Sequence, residues 1–348
     1  MIHVVKGEND WNKALSLADR ADVYHTYHYH QLSKNSGDEA ILIKYEHRGA
    51  IVLLPLLIRT IEGTIYKDAT SVYGYAGVLP VNDNEHFNCA HFSKELNTFF
   101  KQENIISVFS RLHPYIKHQE TILSQLGGVS SPGNVVYIDL SQPLDEQRQN
   151  YSRRLKTHLN KARKHCYVQQ GYNDDHLEEF MALYYENMRK VNAKSFYFFS
   201  KAYFKALLQN NQFTTDLLIC RLKDNDKAIA AGLFTKCNGI VQYHLSGTDD
   251  NYDHLNAVKL LIDYTRITST KAGYTYFNLG GGRSSKDDSL FYFKSRFSKS
   301  FEPFNIWKYI VNKEAYLVLE EQFNYAGVEE VKQEDTNYFP SYRRYLTT

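Results

Sequence analysis

FNLGGGRSSKDDSLFYFKSRFS, residues Phe277 to Ser298, is the most informative stretch of this 348-residue chain. It opens on the apolar end of a strand and runs at once into three glycines, Gly280, Gly281 and Gly282. Glycine reaches positive φ without a steric penalty and lets a ligand approach the backbone closely, so a triplet after a strand marks either a tight turn or a substrate-facing edge. Taken alone, the triplet fits both.

Working upstream, VQYHLSGTD reads as a strand and Leu255 to Lys271 as a helix, with Asp253 as N-cap and Gly273 as its stop. Before them, LLICRLKDNDKAIAAGLFTKC reads as a hairpin around DND, and Leu177, Phe180, Met181, Tyr184 and Met188 repeat at helical spacing. A second helix carries Tyr203, Phe204, Leu207 and Leu208. The first half repeats this order. A strand at Ile2 to Lys6 and a helix marked by Trp11, Ala14, Leu15 and Ala18 lead to ILIKYE and AIVLLPLLIRTI, a hairpin joined through HRG. A helix over Glu85 to Lys101 and the strand IISVFSRL come next. Both halves thus read helix, hairpin, third strand, helix, strand, offset by about 170 residues, the mark of an internal duplication. Hairpins followed by one helical crossover predict an α+β fold with mixed sheets rather than alternating βαβ units. The proline-bearing SQPLDE segment near Ser141 to Leu144 suggests a first domain over 1–143 and a second over 144–312, with a C-terminal helix and tail over 313–348 packing back.

Composition narrows the class. With 43% hydrophobic and 23% charged residues the chain reads as a folded globular protein. Its longest apolar run, Ala50 to Ile58, is far shorter than the roughly 20 residues of a membrane helix, and the amino terminus lacks a signal-type apolar segment. The expected location is the cytoplasm, with at most peripheral membrane contact. Cys89, Cys166, Cys220 and Cys237 lack metal or disulfide spacing, so no metal site is expected. A net charge of +2 argues against DNA as a partner and leaves phosphate affinity to local clusters. One such cluster is YSRRLKTHLNKARKH, Tyr151 to His165: Arg153, Arg154, Lys156, Lys161, Arg163 and Lys164 surround a stripe of Leu155 and Leu159. It is either a solvated face or a site for phosphates of a nucleotide, a lipid diphosphate or a tRNA.

Leu279 to Gly282, then Asp288, then Phe293 with Lys294 resemble the second domain of the Fem (FemAB) family of aminoacyl and acyl transferases, where a strand, a GG turn, an acidic residue and a phenylalanine-lysine pair occur in this order. The basic helix fits the same family, and ATSVYGYAGVLP and SRLHP look like segments of members associated with envelope polysaccharide synthesis. The helical arm of the peptidoglycan branch has no counterpart, so the compact branch is the nearer comparison. The resemblance implies two tandem GNAT-like (acyl-CoA N-acyltransferase-like) domains. It also implies transfer of an aminoacyl or acyl group from aminoacyl-tRNA or acyl-CoA, as co-substrate rather than bound cofactor, to an amine or hydroxyl. The implied acceptor is a sugar-nucleotide or lipid-linked precursor of the cell envelope: an amino sugar of a capsular or O-antigen polysaccharide, or a peptidoglycan precursor.

For such a reaction Lys294, with Arg283 and Arg296 as weaker alternatives, is the candidate charge near the transferred acyl group. His244 and Asp288 complete the catalytic candidates. Tyr73, Tyr75, Arg111, His113, Arg153, Arg154, Tyr243, Gly280, Gly281, Gly282, Arg283 and Phe293 are the substrate-binding candidates. Arg111 is suited to gripping a diphosphate, and His113 or His244 to taking a proton near neutral pH. Asn256 and Ala257 occupy the place where acetyltransferases cradle the donor pyrophosphate, yet DNYDHLNAVKLL lacks the glycines of that signature. Two other readings remain: a plain acetyl-CoA-dependent N-acetyltransferase acting on an amino sugar, and a non-catalytic scaffold that binds a glycan or RNA.

Overall fold

The computed structural model describes residues 1–82, 87–283, 287–325 and 338–344. The chain forms two compact units, residues 1–132 with 304–348 and residues 133–303. The division suggested by the proline near Ser141 falls elsewhere, because the strand that precedes this proline already belongs to the second unit's sheet.

In unit 1 the elements run β1 Ile2–Val5, α1 Glu8–Leu15, α2 Tyr27–Ser33, β2 Glu39–His47, β3 Ala50–Thr60, β4 Lys67–Thr70, β5 Leu79–Asn82, α3 Cys89–Gln102, β6 Ile105–Arg111 and α4 Gln119–Leu123. Next is β7, Gly128–Asp139, which crosses from unit 1 into unit 2. Unit 2 continues with α5 Leu144–Gln149, α6 Arg153–His165, β8 Cys166–Gly171, α7 Asp174–Lys190, α8 Lys201–Leu208, β9 Thr214–Leu222, β10 Ala228–Cys237, β11 Ile240–Thr248, α9 Ala257–Lys271, β12 Tyr276–Gly280 and α10 Ser289–Lys294. β13, Ser300–Ile310, returns to unit 1, and α11, Lys313–Tyr325, comes after it.

The sheets of the two units are built alike. Unit 1 orders its strands β1-β2-β3-β4-β6-β13 and unit 2 orders them β8-β9-β10-β11-β12-β7. In each, an antiparallel hairpin (β2–β3, β9–β10) is followed by a third strand (β4, β11), a helix (α3, α9) and a parallel strand (β6, β12). A sixth strand, antiparallel, then caps the edge. These strands are exchanged along the sequence: β7, next after β6 in the chain, serves unit 2, while β13, next after β12, serves unit 1. The duplication with mixed sheets expected from the sequence is what forms.

Local chemistry explains the main boundaries. Arg48 and Gly49, both at positive φ, close the β2–β3 hairpin where HRG stands. Ser152 caps α6 by accepting the Leu155 N–H at 3.2 Å. The first-half helix begins at Cys89 rather than Glu85, with Asn88 as its cap; residues 83–86 lie outside the described residues. α1 ends at Leu15, short of Ala18. The helix expected from Leu255 begins at Ala257 instead. Asn256 adopts left-handed φ of 58°, breaking the chain between Asp250–Leu255, a 3-10 turn, and α9, so Asp253 sits in that turn and does not cap the helix. Gly273, at φ of 80°, ends α9 as expected.

In unit 2, α6 and α9 cover one face of the sheet. Leu155, Leu159 and Ala162 of α6 join Ala257, Leu261 and Ile262 of α9 over Phe234, Val241, Phe277, Leu279, Val136 and Ile138. The helix α7 packs on β10 and β11, and α8 on β9. A buried network secures α6 to α9: Asp263 accepts the Tyr151 hydroxyl at 2.8 Å and pairs with Arg163 and with Arg266, the latter at 3.1 Å. No helix among the described residues is long and apolar enough to cross a membrane.

Candidate active site

The site in unit 2 begins where two strands part. β11 and β12 pair in parallel at only three positions, Ile240 with Tyr276, Val241 with Phe277 and Gln242 with Asn278. β11 continues to Thr248 and β12 to Gly280, yet no rung joins them beyond that one, so the two strands part there in a wedge. At the same level β11 bulges against β10: Leu233 pairs with Leu245 and Phe234 with Tyr243, leaving His244 as the extra residue. Bulges redirect side chains and free backbone groups, and they recur beside active sites. Tyr243 stacks on Phe234 at 5.6 Å with its hydroxyl bonded to Ser246, and burial pushes its pKa up to about 12. Burial likewise pushes His244 down to about 4, so it stands as a neutral imidazole at pH 7.

Across the wedge stand the glycines. Gly280 takes φ of 76°, and a Cβ on Gly281 would lie 2.8 Å from the Asn134 carbonyl oxygen, so this turn admits nothing larger. Asp288 organises the segment after the turn. One of its oxygens accepts the N–H groups of Leu290 and Phe291 and the other that of Arg283, at 2.9 to 3.1 Å, which caps α10 and ties it to the glycine turn. Burial alone would raise its pKa, but these backbone bonds and the Arg283 charge hold it below the usual range. Asp288 is thus committed to shaping the loop rather than to proton transfer. Lys294, the last residue of α10, is 8% exposed and donates from Nζ to the Gly281 carbonyl at 2.6 Å. Burial lowers its pKa to about 8, against the opposing pull of Asp288. Ser284 to Lys286 lie outside the described residues.

A cationic cluster gathers at the start of α9. Lys259 is 9% exposed; its ammonium meets His158 Nδ1 at 2.8 Å, contacts Asn256 Oδ1 and lies 6.0 Å over the Phe293 ring. Burial, then Arg296 and Arg154, lower its pKa to about 8. Burial, then Lys259, Arg154, Arg296 and Lys161, lower that of His158 as well. No carboxylate figures in either balance. Arg154 lies one turn before His158 on α6, and the Arg296 carbonyl accepts the Ser152 N–H at 3.0 Å, so the start of the basic helix, the start of α9 and the segment after α10 converge. Arg153 and Arg154 are exposed. Arg163, by contrast, is committed to Asp263. Neither Lys259 nor His158 was selected from the sequence. A lysine three residues into the apolar stripe of α9 was the available signal.

The remaining candidates lie in unit 1. The Arg111 guanidinium sits 5.2 Å over the ring of Tyr73, which is 59% exposed, so this pair is open to a ligand. Tyr75 packs edge-on against Tyr24 and Phe304. His113 is buried with both ring nitrogens engaged: Nδ1 accepts the Tyr115 N–H at 3.2 Å and Nε2 faces Asp22 at 3.1 Å. That arrangement leaves no lone pair for general-base work and gives His113 a structural part.

Residues 146–294 match the family model described as "Acetyltransferase (GNAT) domain". Among solved structures, that of FemX is 11% identical, with 91% of this chain and 99% of that one covered at a TM-score of 0.71. A conserved protein of unknown function from Bacteroides thetaiotaomicron is 12% identical, with 89% and 100% covered at 0.55. A domain named as the C-terminal part of a lysylphosphatidylglycerol synthetase from Agrobacterium fabrum is 15% identical, with 93% and 98% covered at 0.54. At these identities the likeness is one of fold. No curated protein matches the chain by sequence. Residues 146–294 of the second unit thus carry the sequence of an acetyltransferase (GNAT) domain, and the chain as a whole shares the fold of FemX.

Proposed function

We propose that unit 2 moves an acyl or aminoacyl group from a phosphate-bearing activated donor to an amine or hydroxyl of a cell-envelope precursor. The observation that carries this reading is the alignment of a wedge between β11 and β12, a buried Lys294 at its glycine edge and a carboxylate-free cluster of Arg154, His158, Lys259 and Arg296. Lys259, buried among cations and without a carboxylate, is stabilised by an anion, so the cluster takes the donor's phosphates and leaves the acyl end for the wedge. Either acyl-CoA or aminoacyl-tRNA meets that requirement. The absence of the glycine signature at Asn256 and Ala257, together with the exposed Arg153 and Arg154, favours the larger donor.

The acceptor's lone pair attacks the acyl carbon, forming the new C–N or C–O bond while the carbonyl electrons move to oxygen. Lys294, as ammonium, stabilises that oxyanion; as the oxyanion collapses and the ester or thioester bond breaks, its pKa of about 8 lets it pass a proton to the departing oxygen or sulfur, while the proton shed by the acceptor nitrogen or oxygen goes to water, from which the ammonium is restored. Because the donor is already activated, holding the two substrates together supplies much of the remaining acceleration. Within unit 1, Arg111 over Tyr73 forms a patch of its own that suits a sugar ring or a diphosphate.

The test is binding of acetyl-CoA and, separately, of charged tRNA across a salt series, and then transfer to amino-sugar nucleotides. Saturable, salt-dependent binding of one donor with transfer is the expected result, and it identifies the donor. Binding of acetyl-CoA alone with transfer to an amino sugar would make the chain a plain N-acetyltransferase. Binding of neither would overturn the proposal and leave a non-catalytic scaffold.

A further inference from the structure

Asn278 stands on the last rung before β11 and β12 part, in register with Gln242 on one side and Tyr137 on the other. Its side chain is 1% exposed. Oδ1 accepts the Gly280 N–H at 2.9 Å, folding the amide forward along the strand toward the glycine turn. That bond also fixes which atom is which, since a flipped amide would set two donors face to face. The NH2 group therefore has a fixed place beside the last rung that joins β11 and β12, and it has no acceptor among the described residues. A buried amide donor left unmade is destabilising and uncommon in folded proteins, and such groups concentrate where function requires them.

We infer that the Asn278 NH2 is a substrate-contacting donor that binds a carbonyl or carboxylate oxygen of the ligand entering between β11 and β12. This rests on the acyl-transfer reading above. Both probes chosen for that reading carry such an oxygen on the transferred group. The contact would hold the acyl group from the sheet side, while Lys294 approaches from the glycine side.

The test uses the full chain and two probes, acetyl-CoA and an RNA minihelix carrying an alanyl ester. Asn278→Asp keeps an acceptor for the Gly280 N–H but removes the two N–H donors. Its amide spectrum also identifies the Asn278 NH2 pair by subtraction. The expected result is that the pair shifts saturably with at least one probe and that Asn278→Asp weakens that probe about tenfold or more. Thermal unfolding of the variant within a few degrees of the wild type shows that the turn is intact. Should Asn278→Asp not fold, the wild-type titration alone decides, since a purely structural amide would not respond to the probe. A probe that binds while the NH2 pair stays still, or that binds Asn278→Asp as it binds the wild type, overturns this inference and leaves the function standing. Binding of neither probe overturns the function and the inference with it.

Discussion

Replacing Lys294 by methionine should make the protein more stable and less active. The lysine's pKa falls from 10.5 to about 8, chiefly through burial. At about 1.4 kcal/mol per tenfold in proton affinity, that fall means that keeping the ammonium charged costs roughly 3 kcal/mol near pH 7. Methionine has similar length, needs no charge and forfeits the bond to the Gly281 carbonyl, worth about 1 kcal/mol. The expected net is a gain of about 2 kcal/mol, or roughly 4–8 °C in the melting temperature of unit 2. Transfer should fall by about 10² to 10³, as when an oxyanion-stabilising donor is lost. The sign of the pH dependence separates this account from ordinary repacking. Above about 8 the folded protein releases the proton that the unfolded chain keeps up to 10.5, so the wild type gains stability relative to Lys294→Met as pH rises through that window. Calorimetric melting of both proteins at pH 7 and pH 10 measures the difference. A variant that is less stable at both pH values by the same amount, or one that retains full transfer, would refute the reasoning.

Asp288→Ala removes the acceptor of three backbone N–H bonds, so α10 should lose about 1–2 kcal/mol and transfer should fall with it, while Asp288→Asn recovers part of both; chemical denaturation and a rate assay decide. Lys259→Gln and Arg154→Ala should each weaken a phosphate-bearing donor and flatten the dependence of log affinity on log salt by about one, and an unchanged slope would return the cluster to a structural role. In unit 1, Asp68 is buried and bonded to Arg59 at 2.7 Å, Arg343 at 2.6 Å and Tyr342 at 3.1 Å. Asp68→Ala should therefore cost about 3–5 kcal/mol in urea unfolding, and a loss below about 1 kcal/mol would count against that network.

The order of elements was legible because each helix and hairpin carries its own periodicity. Leu155 and Leu159 announced the buried stripe of α6, and HRG announced the β2–β3 turn. What the sequence hid were decisions made by distant partners. Nothing local says that β7 and β13 belong to sheets other than those preceding them, since that depends on which edge each strand completes. Asp253 read as the N-cap because it is an acidic residue just ahead of the apolar stripe, but the left-handed backbone at Asn256 delays the helix to Ala257. At the site, the glycine triplet, Asp288 and Lys294 were found because they lie within one short segment. Lys259, His158 and Asn278 escaped because each gains its character from neighbours more than thirty residues away or from burial. His113 looked like a base in the sequence, but the groups that occupy its nitrogens arrive from Asp22 and Tyr115.

The exchange of sixth strands orders events in time. Arg111 on β6 pairs with Ile306 on β13, 195 residues further along the chain. At about 5–20 residues per second of synthesis, the ribosome needs on the order of 10–40 s to deliver that partner. Through this interval the amino-terminal sheet must wait with the edge of β6 uncovered, its hairpin and crossover helix already made but Trp307 and Val311 of its core still to come. The carboxyl-terminal sheet has its own sixth strand in hand from residue 139 onward, before any of its other strands appear. The half made first is therefore the half completed last, and a nascent chain stalled between residues 111 and 306 presents an edge strand for a chaperone, or for a second such chain, to cover.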